Sequence, residues 1–478
     1  MSERRSPPAR GLPAYARARL ALSLALTCVT AWYSYAYFHV DEYFQVVQLT
    51  RLKLGGIDAW ALPWEHAARM RPWLQPGLYY VVARVMGALG ASDLFVLAFG
   101  FRLVTGVACW AALVLFVRTV LPWFGSEDER RLFVRVAALL GFLPYLFVRT
   151  SSEALSMALF TAGFAVLLAR SAPEGRDFRL DVTAARALAC GALFGLAFEA
   201  RFQSAFLTLG LLAWLRVAGR ASWSRVGAVV VGGALGLGAG ALTDRWGYGE
   251  WALTPWEYAK ANLVEGAASL FGSDPPFAYV WLSPANVMAP VVAVLLGLAV
   301  LAWVRHPRHP LTWTALPFFL VHNVLAHKEE RFLFPLAILA TALVPLAIAP
   351  GPARASRLAG WLWARRGGAA AKALAAYNLG ALALLALWPI GWHHHVSFTR
   401  HARTRFGDEL RVHALPDFDL GLPAYHPRVY DVAKAPPGDV LRAVEDGTSR
   451  GWLVADPPRR RTGLPALDAR VTLEWSEL

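Results

Sequence analysis

The chain repeatedly runs for about twenty residues without a formal charge, and this limits its fold more than any other feature. Residues 20–38, LALSLALTCVTAWYSYAYF, carry none, and 226–243, 283–304, 332–349 and 373–391 are alike. Each is close to the roughly 17–25 residues that a helix needs to cross a bilayer. Lipid offers no hydrogen-bond partner to backbone, so helices, not open sheets, must make the crossings. Shorter or once-interrupted runs at 77–91, 94–117, 136–148, 154–169, 187–198, 202–215 and 311–326 bring the expectation to about 11–12 transmembrane helices. Composition agrees: 56% of residues are hydrophobic and 17% charged, with mean hydropathy +0.40, whereas soluble chains are about a quarter charged. The expected fold class is an all-α, polytopic membrane protein.

A net charge of +14 invites a nucleic-acid reading, but the arginines fall mostly in short loops between apolar runs, as the positive-inside rule produces. Arg4, Arg5, Arg10, Arg17 and Arg19 precede the first run, which reads as an uncleaved signal anchor behind a basic cytoplasmic segment, 1–19. The loops 170–186, 216–225, 305–309 and 354–366 are also basic and are assigned to the cytoplasm. Threading the chain then sends 39–75, 149–153, the neighbourhood of Glu199 and Arg201, 244–282 and 327–331 to the opposite face. One conflict arises: a full crossing at 77–91 would place Arg118 to Arg131 outside, so either that run is interfacial or the loop breaks the charge rule. The membrane domain is expected over 20–391, followed by a non-cytoplasmic tail, 392–478. Only Lys53, Lys260, Lys328, Lys372 and Lys434 among 47 basic residues are lysine. That usage suggests a GC-rich bacterial genome and the bacterial inner membrane, with the endoplasmic reticulum as the eukaryotic counterpart.

Ionisable groups at membrane depth are costly, so several facing one side suggest a shared cavity. HVDEYFQVV at 39–47 puts His39, Asp41, Glu42 and Gln45 directly after the first run; they are either solvated loop polar groups or a carboxylate site. HKEERFLFP at 327–335 is either a snorkelling anchor or an anion site. As a helical turn it would put His327 and Arg331 on one face, with Lys328 beside them. Glu199 and Arg201 in GLAFEARFQS would pair with each other or with neighbours, structurally or functionally, and Arg149 and Glu153 in RTSSE are similar. DRWGYGEWALTPWEYAKAN at 244–262 suits sugar stacking or an interfacial aromatic belt equally. Two motifs are decoys. Asp417, Phe418 and Asp419 spell DxD in a tail too short for a nucleotide-binding domain, and His393, His394 and His395 read as a solvated interface. Cys28, Cys109 and Cys190 lie in apolar runs without paired spacing.

In these motifs the chain resembles the lipid-phosphate-mannose-dependent mannosyltransferases of GPI-anchor and N-glycan assembly, glycosyltransferase family 22 of the GT-C superfamily. HVDEYFQ resembles the family's HPDEYFQ-like motif, HKEERFLFP its most specific signature, and PWEHAARMRPWLQP (63–76), RTSSE, ARFQ (200–203) and the 244–262 block follow in the same order. The resemblance covers roughly 20–350. Val40 replaces a frequent proline, and GSDPPF at 272–277 stands where GSHPW-like sequence is common. It implies a GT-C fold with a large first non-cytoplasmic loop, moving mannose from polyprenyl- or dolichyl-phosphate mannose to a glycan or glycolipid hydroxyl with inversion. Asp41, with Glu42 second, would be the catalytic carboxylate, and His327, Lys328, Arg331 and Arg201 would lie near the donor phosphate. His39, Gln45, Glu65, Arg71, Arg149, Glu153, Asp244, Tyr248 and Trp256 would line the substrates. Fixed cations can do a metal's work, so neither metal nor other cofactor is expected. The expected partners are membrane lipid, the lipid-phosphate sugar and the acceptor, with no nucleic acid. A transferase of another lipid-linked sugar, such as arabinose or glucose, and a lipid-linked-sugar transporter are the competing readings. The transporter reading predicts repeated halves and a midplane site.

Overall fold

The computed structural model describes residues 11–57, 62–91, 93–175, 177–267, 272–348 and 368–391, with short pieces of the tail. The basic loop 354–366, the DxD at 417–419 and the histidines 393–395 lie outside the described residues. The helices are α1 (Ala14–Tyr33), α2 (Gln48–Lys53), α3 (Trp64–Ala67), α4 (Leu74–Ala88), α5 (Leu94–Val120), α6 (Glu127–Leu139), α7 (Leu143–Phe147), α8 (Ser152–Leu168) and α9 (Ala184–Ala200). They continue as α10 (Ala205–Val217), α11 (Trp223–Tyr248), α12 (Thr254–Ala259), α13 (Tyr279–Asn286), α14 (Ala289–Arg305), α15 (Pro310–Val324), α16 (Ala337–Ile348) and α17 (Ala369–Leu387). Leu94–Trp123, Trp223–Tyr248, Glu330–Ile348 and Ala369–Leu387 are each long and apolar enough to cross a bilayer, and Ser152–Leu168, Phe202–Val217 and Ala289–Arg305 are shorter apolar helices. The chain is an all-α, polytopic membrane protein.

The described residues form two compact units. The first comprises 1–34, 64–78 and 101–388, and the second 35–63, 79–100 and 389–478.

Within the first unit, α9 and α11 run parallel and almost touch. Cβ atoms added at Gly232 and Gly236 would overlap the carbonyls of Leu188 and Ala192, and one at Gly191 would overlap that of Val229. Small residues are what allow backbones to approach so closely where lipid gives no hydrophobic drive to associate. The apolar run 136–148 is not one helix: the chain breaks between α6 and α7. The broken ladder is repaired by Asn378 of α17, which accepts from Gly141 N–H and donates to Leu139 O, both at 2.8 Å. Unpaired backbone at that depth would cost several kcal/mol per group.

One end of this unit gathers the basic loops. A hairpin of β1 (Ala172–Glu174) and β2 (Asp177–Arg179), antiparallel with Pro173 opposite Phe178, lies there. The Phe178 ring sits 5.0 Å from Trp123 and 5.4 Å from Trp214. Trp123 Nε1 donates to Ser171 O and Trp214 Nε1 to Arg308 O, both at 2.8 Å. The Arg131 guanidinium lies 4.6 Å over the Tyr15 ring, bringing the start of α1 to the same end. α5 runs antiparallel to α1, since Trp110 Nε1 donates to Leu20 O at 2.9 Å and Arg102 Nε to Ala31 O at 2.8 Å. The segment 34–93 therefore leaves and returns at one end. α4 is not a lone crossing, and Arg118 to Arg131 stay with the other basic loops. The charge pattern is thereby kept, with no net crossing between α1 and α5.

The second unit holds the exit of α1. Residues Tyr43–Val47 form a π-helical turn that continues into α2, and Arg51 Nη1 donates to Tyr43 Oη at 2.8 Å. The tail contributes a three-stranded parallel sheet, with β3 (Arg411–Ala414) between β4 (Ala433–Lys434) and β5 (Gly451–Val454).

Gly232→Val should force α9 and α11 apart and lower the thermal midpoint of detergent-purified protein, by about 1–3 kcal/mol of overpacking. Gly238→Val, where an added Cβ meets open space, should leave that midpoint nearly unchanged.

Candidate active site

Three blocks from distant parts of the sequence meet around one carboxylate. Glu153 lies in the first turn of α8, where the helix dipole favours negative charge. It is 1% exposed. Arg201 sits where α9 stops: its backbone is extended, φ −151° and ψ 109°, before the 3₁₀ turn Phe202–Ser204. Its Nη2 lies 3.2 Å from Glu153 Oε1, and Arg331 Nε lies 3.8 Å from the same oxygen. Arg201 thus pairs with Glu153 of RTSSE, not with its neighbour Glu199, whose side chain packs on Gly240 of α11.

The HKEERF block is not the helical turn its spacing suggested. Glu329 is extended at φ −138° and ψ 142°, and a 3₁₀ helix, Glu330–Leu336, starts only after it. His327 and Arg331 still share a partner, because the Glu329 carboxylate lies between them: His327 Nε2 is 2.8 Å from Oε1, and Arg331 Nε donates to Oε2. Tyr279 fixes this residue, its hydroxyl donating to Glu329 O at 2.8 Å and accepting from Glu329 N–H at 3.0 Å. The Phe332 ring lies 5.0 Å from the Arg201 guanidinium and 5.5 Å from that of Arg331, a cation–π contact to each. Lys328 turns elsewhere. Its ammonium donates to Leu325 O at 2.5 Å and Asp274 O at 3.3 Å, and burial pulls its pKa below the usual lysine range. Arg331 and Lys328 are 4% and 7% exposed, so neither is a snorkelling anchor.

The 3₁₀ helix has a second face. Glu330, Leu333, Phe334 and Leu336 line an apolar groove together with Leu295 and Trp303 of α14 and Phe319 of α15.

A second cluster joins the 63–76 and 244–262 blocks. Asp244, 1% exposed, accepts from Trp73 N–H at 2.7 Å and from Thr254 Oγ1 at 2.6 Å. Tyr248 Oη donates to Arg71 O at 2.8 Å, and Arg71 Nε donates to Glu65 Oε2 at 2.9 Å. Trp256 is 57% exposed. Arg149, fully buried, donates to Ser34 O at 3.0 Å and Ser34 Oγ at 2.6 Å, while Gln75 Nε2 donates to Thr150 O at 3.1 Å. These side chains tie segments to one another.

In the second unit, Asp41 and Glu42 differ. Glu42 is 2% exposed and its Oε1 accepts from Phe38 N–H at 2.8 Å. Asp41 has a side chain 23% exposed and accepts from Gln45 Nε2 at 2.6 Å. His39 Nδ1 accepts from Asp41 N–H at 3.2 Å, so the 3.6 Å between that nitrogen and the Asp41 carboxylate is proximity without a shared proton.

The multi-helix fold is that of a GT-C membrane protein. ArnT from Cupriavidus metallidurans superposes over 87% of this chain and 85% of its own in the apo state, with TM-score 0.52 and 12% identity. Its complex with undecaprenyl phosphate covers 88% and 86%, with TM-score 0.51 and 13% identity. Residues 20–388 match the Alg9-like mannosyltransferase family, and the chain belongs to it. Mannosyltransferase APTG1 of Arabidopsis thaliana is 22% identical over 320 residues, 65% of this chain and 55% of that protein. GPI alpha-1,2-mannosyltransferase 3 of Danio rerio is 32% identical over 105 residues, 22% of this chain and 19% of that protein. The match thus spans about half of one relative and a fifth of the other.

Sequence reasoning missed Tyr279 and Phe332 as supports of the cluster and Glu329 as its bridge. Glu329 was in plain view inside HKEER; Tyr279, some fifty residues upstream, carried no signal. Removing Glu153 should strand the Arg201 guanidinium and leave Arg331 with Glu329 as its carboxylate partner. Glu153→Ala is expected to cost about 3–5 kcal/mol, read as a fall in thermal midpoint or loss of the purified monodisperse species.

Proposed function

We propose that this protein transfers mannose from a polyprenyl- or dolichyl-phosphate-mannose donor to a hydroxyl of a glycan or glycolipid, with inversion at the sugar. The observation that carries this reading is the 3₁₀ helix Glu330–Leu336: Arg331 turns into a cluster with Arg201, while Glu330, Leu333 and Leu336 face an apolar groove. A ligand with a phosphate on one end and a hydrocarbon chain on the other suits both faces. Family membership supports the sugar. The host membrane is expected to be a bacterial inner membrane, or the endoplasmic reticulum in a eukaryote.

In the transfer, the acceptor oxygen attacks the anomeric carbon, the bond from that carbon to the phosphate oxygen breaks, and the phosphate leaves with the electron pair. The acceptor's proton goes to a carboxylate, a role worth about 10²–10⁴ in rate. Asp41 is assigned to it, since Glu42 is buried with Oε1 occupied. The leaving phosphate is weakly basic and needs no proton donor. Arg331, Arg201 and His327 stabilise the charge that develops on it, the larger contribution in such sites. Arginine's planar fork suits phosphate. Lys328 acts more remotely, holding the 272–277 loop to the turn at 325. The two fixed guanidiniums serve in place of a metal ion.

With purified protein, a radiolabelled lipid-phosphate mannose and a glycolipid acceptor, Asp41→Asn is expected to lower transfer at least about 100-fold with donor binding kept. Retention of most activity would move the base to another group. Transfer should persist in excess chelator; loss that magnesium or manganese restores would refute the metal-free assignment. Replacing the donor by lipid-phosphate glucose or arabinose tests the sugar directly.

A further inference from the structure

Arg331 has a carboxylate on each side. Glu153, 1% exposed, lies behind it with Arg201, while the Glu329 side chain is 19% exposed against 5% for Arg331. Glu329 is therefore the outer of the two. Its oxygens occupy His327 Nε2 at 2.8 Å and Arg331 Nε, the same donors that a phosphate oxygen would use. Its backbone is held at both N–H and carbonyl by the Tyr279 hydroxyl, so the carboxylate is delivered to this position by the fold.

Charge makes the arrangement consequential. Arg201 and Arg331 against Glu153 and Glu329 sum to zero, which a site at the membrane boundary favours. A phosphodiester entering beside Glu329 would add uncompensated negative charge; one that displaces it from Arg331 would not. After transfer the lipid phosphate is a monoester carrying up to two charges, with a second pKa near 6. It would grip the same cations more tightly than the donor did.

We propose that Glu329 is an internal occupant of the anion site. It holds His327 and Arg331 in the empty enzyme, yields them to the lipid-linked phosphate, and retakes them to expel the product. This rests on the lipid-phosphate reading of the same cluster, and it gives Glu329 a positioning role in turnover.

The test is binding of undecaprenyl monophosphate in detergent micelles, by titration calorimetry, together with single-turnover and steady-state transfer. Glu329→Gln keeps the side chain's size and removes its charge. It is expected to bind the lipid monophosphate about tenfold more tightly, the equivalent of roughly 1.4 kcal/mol. Single-turnover transfer should stay within about twofold while steady-state turnover falls and product inhibition deepens, the pattern of slowed release. Glu329→Ser, which has no carboxylate, should shift binding in the same direction. Glu127→Gln makes the same charge change on an exposed side chain that pairs with Arg131 at 3.0 Å, away from the cluster and the groove, and should leave binding unchanged. Equal or weaker binding by both Glu329 variants would overturn the proposal and leave Glu329 as a plain orienting partner of Arg331. Failure of the unaltered protein to bind the lipid monophosphate would overturn the donor assignment itself.

Discussion

A carboxylate between two guanidiniums organises this protein's polar interior. Taking Glu153, Arg201 and Arg331 out of water costs several kcal/mol per ion, and such groupings seldom repay that cost as net stability. What they fix is position. Glu153 comes from the first turn of α8, Arg201 from the break between α9 and α10, and Arg331 from the 3₁₀ helix before α16. Any slip of one element by a turn would leave a buried charge unpaired. The glycine contact of α9 on α11 serves the same end, because it sets the height at which α9 stops and hence where Arg201 is presented.

Several polar side chains of these motifs tie segments of the chain to one another. Asp244 holds Trp73 and Thr254, Tyr248 holds the Arg71 carbonyl, and Arg149 holds Ser34. Buried polar groups must find partners, and in a membrane protein the economical partners are the loops themselves. The 63–76 and 244–262 blocks are thereby tied together around the buried Trp73, while Trp64, Trp246, Trp251 and Trp256 stay exposed, as an interfacial belt would have them.

The helices were legible because lipid imposes a single rule, about twenty uncharged residues per crossing, and the sequence obeys it with few exceptions. The exceptions follow from tertiary structure. The 136–148 run breaks because Asn378, some two hundred and forty residues later, is there to satisfy the gap. The 77–91 run is not a lone crossing because α1 and α5 already fix both ends of the segment around it. The convergence of RTSSE, ARFQ and HKEERF was legible only as a tendency to face one side; which acid meets which arginine was not. Glu199, beside Arg201 in sequence, turns to α11, and the distant Glu153 takes its place. The parallel strands of the tail left no readable pattern at their length of two to four residues.

The choice of a 3₁₀ helix at Glu330–Leu336 has a geometric reason. With three residues per turn, Glu330, Leu333 and Leu336 stack in one line along the groove. With 3.6 residues per turn, as in an α-helix, Leu336 would sit roughly 120° away from Glu330. Phe334 lines the groove as well, so Leu333, Phe334 and Leu336 supply its apolar wall on this side, while Arg331 turns to Glu153 and Glu329. The segment runs seven residues, longer than 3₁₀ helices usually do, and Pro335 within it has no N–H to satisfy. Its winding lets adjacent residues face an anion cluster and an apolar groove, the division that an amphiphile with a charged head requires.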